Sequence, residues 1–307
     1  MKETRGLEAV LARLLFAGAR VLPARASRAA GAGLGALVHA LGVRRRVATA
    51  NLAAAFPEWS ESERDRVLRE HYRELGRVAF EYARLGELAR AAPGRAVTAI
   101  EGREHLEQAI RGGRGAILLS GHFGNFELVG AALGQLHPTD FVVRPLANRG
   151  VEALIAAQRE QAGIGQIPSD VSARRIFERL RANRWVAMLA DQDAGRAGLF
   201  VPFLGRPAST VSGPARIALA TGAPIVLGFA WRDPDGRHRI LVDPPLVIDA
   251  PDAPDAALRL TAAHVRRLEE RIRERPESWF WLHRRWKTAP PPAPSRAGAP
   301  LAAAREG

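Results

Sequence analysis

The sequence predicts an α/β fold: a mostly parallel central sheet flanked by helices, preceded by a helical N-terminal segment suited to a membrane surface. Three observations predict it. Beyond residue 95, short apolar runs alternate with longer helical periods, the pattern of strands joined by crossover helices. Residues 1–95 carry only helical periodicity. The composition is that of a folded chain, with 47% apolar and 25% charged residues among 307, which excludes wholesale disorder. The expected organisation is a helical membrane-associating region over 1–95, an α/β domain over 96–288 and a disordered tail over 289–307.

The elements follow in order. Leu7, Val10, Leu11, Leu14, Leu15, Gly18, Val21 and Leu22 recur at steps of three and four, which makes one apolar helical stripe with Arg13 and Arg20 off it. Such a helix suits either a lipid headgroup boundary or the body of its own protein. The longest charge-free runs, 29–43 and 217–231, have fifteen residues, short of the roughly 20 that a spanning helix needs. A signal peptide is rejected because Glu8, Arg13 and Arg20 interrupt its apolar region. Pro57 followed by Ser60-Glu61-Ser62-Glu63 reads as a capped helix start, continued by Val67, Leu68, Tyr72 and Leu75. Ala92-Pro93-Gly94 ends that region. Strands are expected at 116–120, 141–143, 186–190, 224–230 and 239–242. Helices are expected at 104–111, 151–162, 172–182, 213–221 and 256–273. After Thr288 the chain is mostly Ala, Pro, Arg and Gly.

The charge is lopsided. Net charge is +13, and Lys2 and Lys287 are the only lysines beside 43 arginines. A GC-rich coding bias accounts for the Arg/Lys ratio but not for the net charge, which points to an anionic partner: nucleic acid, a membrane surface or a phosphorylated substrate. Residues 1–50 alone hold nine basic and two acidic side chains. A nucleic-acid binder would interleave basic and exposed aromatic residues, and with two tyrosines that signal is poor. The absence of cysteine excludes disulfides, cysteine-ligated zinc, iron–sulfur clusters and a cysteine nucleophile. Gly31-Ala32-Gly33-Leu34-Gly35-Ala36 fits a loose dinucleotide pattern, but no strand precedes it. No phosphate loop, G-x-S-x-G elbow or H-E-x-x-H is present.

One motif stands. Ser120-Gly121-His122-Phe123-Gly124-Asn125-Phe126-Glu127 follows directly on Ala116-Ile117-Leu118-Leu119. The context is strand, glycine-marked turn, helix, so His122 falls at the carboxyl end of a strand, where open α/β sheets gather ligands. A tight turn is expected to bring Glu127, in the first helical turn, within hydrogen-bond reach of His122. Glu127 would then fix the tautomer and leave the other ring nitrogen to take a proton near neutral pH. The alternative is a structural histidine capping the helix. Gly121 and Gly124 would let backbone approach a substrate. Asn125 would offer an amide donor.

This segment, an H-x-x-x-x-D/E motif in the form G-H-F-G-N-F-E, resembles the late acyltransferases of lipid A biosynthesis, the lauroyl/myristoyl transferase group. That group lies within the glycerolipid and lysophospholipid acyltransferase superfamily. Further blocks resemble the family in order across about residues 35–288: Arg44-Arg45-Arg46-Val47-Ala48 with Asn51-Leu52 and Ala55-Phe56-Pro57-Glu58; Arg144-Pro145-Leu146-Ala147-Asn148 with Arg159; Asp191-Gln192-Asp193; Phe203-Leu204-Gly205-Arg206-Pro207-Ala208; and Trp281-Leu282-His283-Arg284-Arg285-Trp286-Lys287.

The resemblance implies a glycerol-3-phosphate acyltransferase-like fold. It implies transfer of a fatty acyl group from an acyl carrier protein or coenzyme A thioester to a hydroxyl of a lipid A precursor, with no acyl-enzyme. His122 would be the base and Glu127 its partner. Gly124, Asn125, Arg144, Arg159, Asp191, Gln192, Asp193, Phe203, Gly205 and Arg206 are the candidate substrate-binding residues. Of these, Arg144, Arg159 and Arg206 would contact phosphate or carboxylate or else make structural ion pairs. Asp191 and Asp193 could hold those arginines, and Phe203-Leu204-Gly205 would shape an acyl channel or acceptor site. Trp279, Trp281 and Trp286 would anchor to headgroups or pack on the core. No metal, cofactor or nucleic acid is expected. The partners are the thioester donor, an anionic lipid acceptor and the membrane surface. Because arginines interrupt the N-terminal apolar segment, attachment is expected to be peripheral or monotopic, on the cytoplasmic face of the inner membrane. The same chemistry on a phosphatidylinositol mannoside, a lysophospholipid or another glycolipid is the alternative.

Overall fold

A computed structural model describes residues 2–91, 95–169 and 173–291. The expected tail lies almost wholly outside these residues, as does the break expected at 92–94. Five helices precede the first strand among the described residues: α1 (Lys2–Val21), α2 (Ala24–Ala40), α3 (Arg45–Ala55), α4 (Glu61–Tyr82) and α5 (Leu85–Arg90). The α4 start is capped as its sequence suggests. Ser60 Oγ accepts from Glu63 N at 3.3 Å, and Ser60 N donates to Glu63 Oε2 at 2.7 Å.

The glycines of α2 are a packing device. A Cβ on Gly35 would lie 1.9 Å from the Tyr72 carbonyl oxygen, and one on Gly76 would lie 2.0 Å from that of Gly31. The backbones of α2 and α4 therefore touch, which only hydrogen side chains permit. Gly33, one step off that seam, faces open space.

After α5 the chain alternates: β1 (Val97–Glu101), α6 (Arg103–Arg111), β2 (Ala116–Ser120), α7 (Phe126–Gly134), β3 (Thr139–Val143), α8 (Arg149–Gln161), β4 (Gly165–Pro168), α9 (Arg174–Arg181) and β5 (Trp185–Leu189). A hairpin of β6 (Leu199–Phe203) and β7 (Arg206–Thr210) follows, then α10 (Gly213–Thr221), β8 (Ile225–Arg232), β9 (His238–Val242) and α11 (Ala256–Glu274). Seven strands form one sheet in the order β1-β9-β8-β2-β5-β3-β4. Every pairing in it is parallel except β8 with β9. The central strand β2 is buried on both faces, as its unbroken apolar run requires.

Alternate side chains of the strands feed two cores. Ile117, Leu119, Val186, Ile225 and Leu227 meet α9, α10 and α11 on one face. Ala116, Leu118, Val226 and Ile240 meet α5, α6 and α7 on the other. The fold is thus a mixed α/β protein with helices on both sides of a largely parallel sheet, as expected. The stretches 97–101, 165–168 and 199–210 are strands that the apolar pattern does not mark.

The stripe on α1 is largely outward. Leu7, Val10, Leu11 and Leu14 are exposed, and so are Leu37, Leu41 and Val43 at and beyond the end of α2. Arg20 at the end of α1 ties back to the body, with Nε donating to Ala83 O at 2.8 Å. Among the described residues, no helix is long and apolar enough to cross a membrane.

The segment after α11 folds back over the carboxyl end of β2. Phe123 bridges to Trp279, Gly124 N donates to Ser278 O at 2.8 Å, and Phe280 N donates to His122 O at 2.9 Å. Asn51 of α3 holds this strap from below, its amide donating to the carbonyls of Trp281 and His283 at 2.7 and 2.6 Å. The N-terminal and closing blocks thus meet in space.

Candidate active site

His122 stands two residues past the end of β2, and Asp191 two residues past the end of the adjacent β5. Ser120 and Leu189 are paired in register, so the two side chains leave the sheet side by side. His122 Nδ1 lies 2.8 Å from Asp191 Oδ1. Asp191 Oδ2 accepts from the His122 backbone N–H and from Trp279 Nε1, both at 2.8 Å. Asp191 is buried, and three donors converge on it. Burial opposes its ionisation, but the His122 imidazole and these hydrogen bonds overcome that and bring its pKa down to about 2. For His122, burial disfavours the charged ring, while Asp191 and then Glu127 favour it. The outcome is a pKa above the ordinary value.

Asp191 fixes Nδ1 as the protonated nitrogen, which leaves Nε2 as a base. Gln192 Nε2 sits 3.3 Å from it. The imidazole is partly exposed and is flanked by the rings of Phe126 and Phe280, with centroids at 5.2 and 6.0 Å. A proton acceptor between two aromatic rings at the carboxyl end of a central strand can deprotonate a hydroxyl beside apolar substrate.

Glu127 departs from its expected geometry. Its carboxylate receives Arg159, with Nη2 to Oε1 at 2.5 Å and Nε to Oε2 at 3.2 Å, and both side chains are largely buried. The reason is helical phase. Phe126 opens α7 and takes the position facing His122, and Glu127 lies about 100° further round, toward α8. Glu127 reaches His122 through charge, not through a hydrogen bond. Arg159 is correspondingly engaged in an ion pair rather than presented to a ligand.

Other expected contacts are also corrected. Asn125 caps α7, its Oδ1 accepting from Leu128 N at 3.0 Å, and its amide donates to Glu81 Oε2 at 2.9 Å, so both ends are used internally. Glu81 is part of a buried cluster with Arg232, Glu74 and His238. Gly124 has φ +53°, and a Cβ there would lie 1.9 Å from Ala230 O, so its glycine serves backbone against backbone. Neither Asp191 nor Asp193 holds Arg144, Arg159 or Arg206. Asp193 instead binds Thr288 Oγ1 at 2.9 Å, and its N–H donates to His283 Nε2 at 3.0 Å. Phe203 is fully buried between Trp279, Trp286 and Arg285, and Gly205 (φ +78°) turns the exposed tip of the β6–β7 hairpin. Trp279 and Trp281 are core residues, and Trp286 is half-buried.

Arg144 is exposed at the carboxyl end of β3, and Arg206 lies over the Trp286 ring at 5.5 Å. Arg285 is fully buried and donates to Ser209 O and Thr210 Oγ1, locking the strap to β7. Sequence reasoning missed Trp279 as a donor to Asp191, and it assigned Asp191 to arginines rather than to His122.

A family model described as bacterial lipid A biosynthesis acyltransferase matches residues 4–288. The chain is 31% identical over 274 residues to the lipid A biosynthesis lauroyltransferase of Escherichia coli K12, with 87% of each chain covered. It is 28% identical over 253 residues to the lipid A biosynthesis palmitoleoyltransferase of the same strain, with 80% of each covered. It is 33% identical over 192 residues to a phosphatidylinositol mannoside acyltransferase of Mycobacterium tuberculosis H37Rv, with 61% of this chain and 59% of that one covered.

Proposed function

Because the chain belongs to the bacterial lipid A biosynthesis acyltransferase family, and is therefore an acyltransferase, we propose that it moves a fatty acyl group from an acyl carrier protein or coenzyme A thioester to a hydroxyl of a lipid A precursor. The single observation that carries the chemical reading is the His122–Asp191 pair at the carboxyl end of β2. His122 Nε2 takes the proton of the acceptor hydroxyl as its oxygen attacks the thioester carbonyl. Asp191 stabilises the imidazolium that forms. As the tetrahedral intermediate collapses, the C–S bond breaks, the C–O bond remains, and the proton passes from imidazolium to the departing thiolate. No acyl-enzyme is needed. Gln192, beside Nε2, is placed to donate to the reacting oxygens. Glu127 acts at one remove, through its charge and by fixing α7 against Arg159.

The exposed Leu7, Val10, Leu11 and Leu14 support seating α1 in the headgroup layer as a peripheral or monotopic attachment, on the cytoplasmic face of the inner membrane. In this reading residues 1–95 are the membrane-associating part and 96–288 the catalytic part. A second acceptor class, phosphatidylinositol mannosides, has support from the mycobacterial relative. The longer match to the lauroyltransferase favours lipid A precursors.

The test offers purified protein labelled acyl carrier protein and coenzyme A thioesters with a panel of lipid acceptors. His122→Ala should lower turnover by roughly 100-fold or more. Unimpaired turnover would remove His122 from the role.

A further inference from the structure

We propose that the depression between α3, the start of β7 and the strap is a binding site for the phosphate of a phosphorylated lipid headgroup, the acceptor's. The proposal rests on the acyltransferase reading for the identity of that lipid, and on the following geometry for the site.

The depression has a volume of about 360 Å³, within the range of small-molecule sites. Four of its lining residues are cations: Arg46, Arg206, Arg284 and Lys287. None of its lining residues is acidic. Many arginines of this chain are ion-paired, for example Arg77, Arg159, Arg184 and Arg232. These four cations have no carboxylate within 4.0 Å among the described residues, and the Arg206 guanidinium lies over the Trp286 ring. Like charges around one opening repel, and nothing in the wall relieves them. A phosphate would, and guanidinium forks suit its oxygens.

The larger depression, of about 440 Å³, shows the contrast. It too is lined by arginines, but Glu70, Glu74, Asp233, Asp235 and Glu277 line it with them, and its Arg77 and Arg232 are neutralised there.

Two features favour a lipid over a free anion or a docked protein. Trp286, Val47 and Ala50 give the basic depression an apolar wall. Val43, exposed like Leu41 and Leu37, lies three residues before Arg46, within about 11 Å along the chain. A molecule with hydrocarbon next to phosphate matches that order. The depression also adjoins the reaction centre through covalent neighbours: His283, which precedes Arg284, accepts from the backbone of Asp193, next to Gln192.

The test is calorimetric titration of the intact protein with three probes: short-chain phosphatidic acid, the matching phosphate-free diacylglycerol, and inorganic phosphate. Phosphatidic acid should bind roughly tenfold or more tightly than diacylglycerol, and Arg46→Gln/Arg284→Gln should abolish the difference. Both substitutions are at exposed positions, and an Arg46→Lys/Arg284→Lys protein should recover part of the affinity. In turnover, the preference of kcat/KM for a phosphorylated over a dephosphorylated acceptor should fall toward one in the Gln variant. Equal binding of phosphatidic acid and diacylglycerol would overturn the proposal, as would binding of inorganic phosphate without phosphatidic acid. A defect seen only with carrier-protein donors, and not with coenzyme A donors, would also overturn it and mark a protein-docking face. His122→Ala should bind all three probes normally, so failure of the base assignment and failure of this site read out separately.

Discussion

Asp191→Asn removes one charge and almost no volume beneath the proposed base. Asp191 Oδ2 accepts two donors, the His122 N–H and Trp279 Nε1. The asparagine oxygen should keep that double role, which turns its NH2 toward His122 Nδ1. Two donors cannot share one hydrogen bond, so the ring adopts the other tautomer, with Nδ1 accepting and Nε2 protonated. That tautomer cannot take a proton at Nε2, and loss of this order in a catalytic triad costs up to roughly 10⁴-fold in turnover. The charge has its own effect. At 2.8 Å and an effective dielectric near 20, the pair attracts by about 6 kcal/mol before the opposing cost of burial. Its removal should lower the His122 pKa, because this carboxylate is the main group favouring the charged ring.

Wild-type kcat/KM should rise with pH through the raised pKa of His122, because only the neutral ring is a base. The variant should show a plateau roughly 10³-fold lower, with its acidic limb displaced to lower pH, and unchanged secondary structure by circular dichroism. A plateau within tenfold of wild type, or a limb displaced upward, would refute the reasoning.

Other consequences are measurable as stability. Glu127→Gln leaves Arg159 largely buried without its partner and should destabilise the protein by about 3 kcal/mol, with Arg159→Met in the same chain recovering most of the loss in urea denaturation. Gly35→Ala should cost several kcal/mol because its methyl meets the Tyr72 carbonyl at 1.9 Å. Gly33→Ala, which meets nothing, should be neutral or stabilising by up to about 1 kcal/mol; similar melting temperatures for the two variants would count against the α2–α4 seam. Burial lowers His71 and His264 from 6.5 to about 4. The unfolded chain therefore takes up these protons first as pH drops. Stability is complete above about 6.5 and declines toward 4, by up to about 3 kcal/mol per histidine, and a flat unfolding profile across that window would contradict their burial as neutral rings.

Where the sequence was legible, the reason was local. The run 116–119 is apolar without interruption because β2 is buried on both faces, and 213–221 shows its helix through Pro214 near the start and Gly222 at the cap. Strands 97–101, 165–168 and 199–210 escaped because they sit at edges of the sheet or in a separate hairpin, where alternation is weak. The motif at 120–127 revealed the histidine but not its carboxylate. Proximity in sequence pointed to Glu127, whereas the Asp191 contact depends on β5 lying beside β2, a pairing 69 residues apart. Asn125 misled for a related reason: nothing local tells that Glu81, on a helix 44 residues earlier, waits for its amide.

The strap from Pro276 to Thr288 has a consequence for biosynthesis. It carries Trp279 onto Asp191 and His283 onto the Asp193 backbone. A nascent chain halted just before it would already contain every strand of the sheet and the histidine itself. It would still lack the indole that steadies the carboxylate and the ring of Phe280 beside the imidazole. On the proposed mechanism, competence arrives only with the strap, so a chain ending at residue 275 should transfer no acyl group.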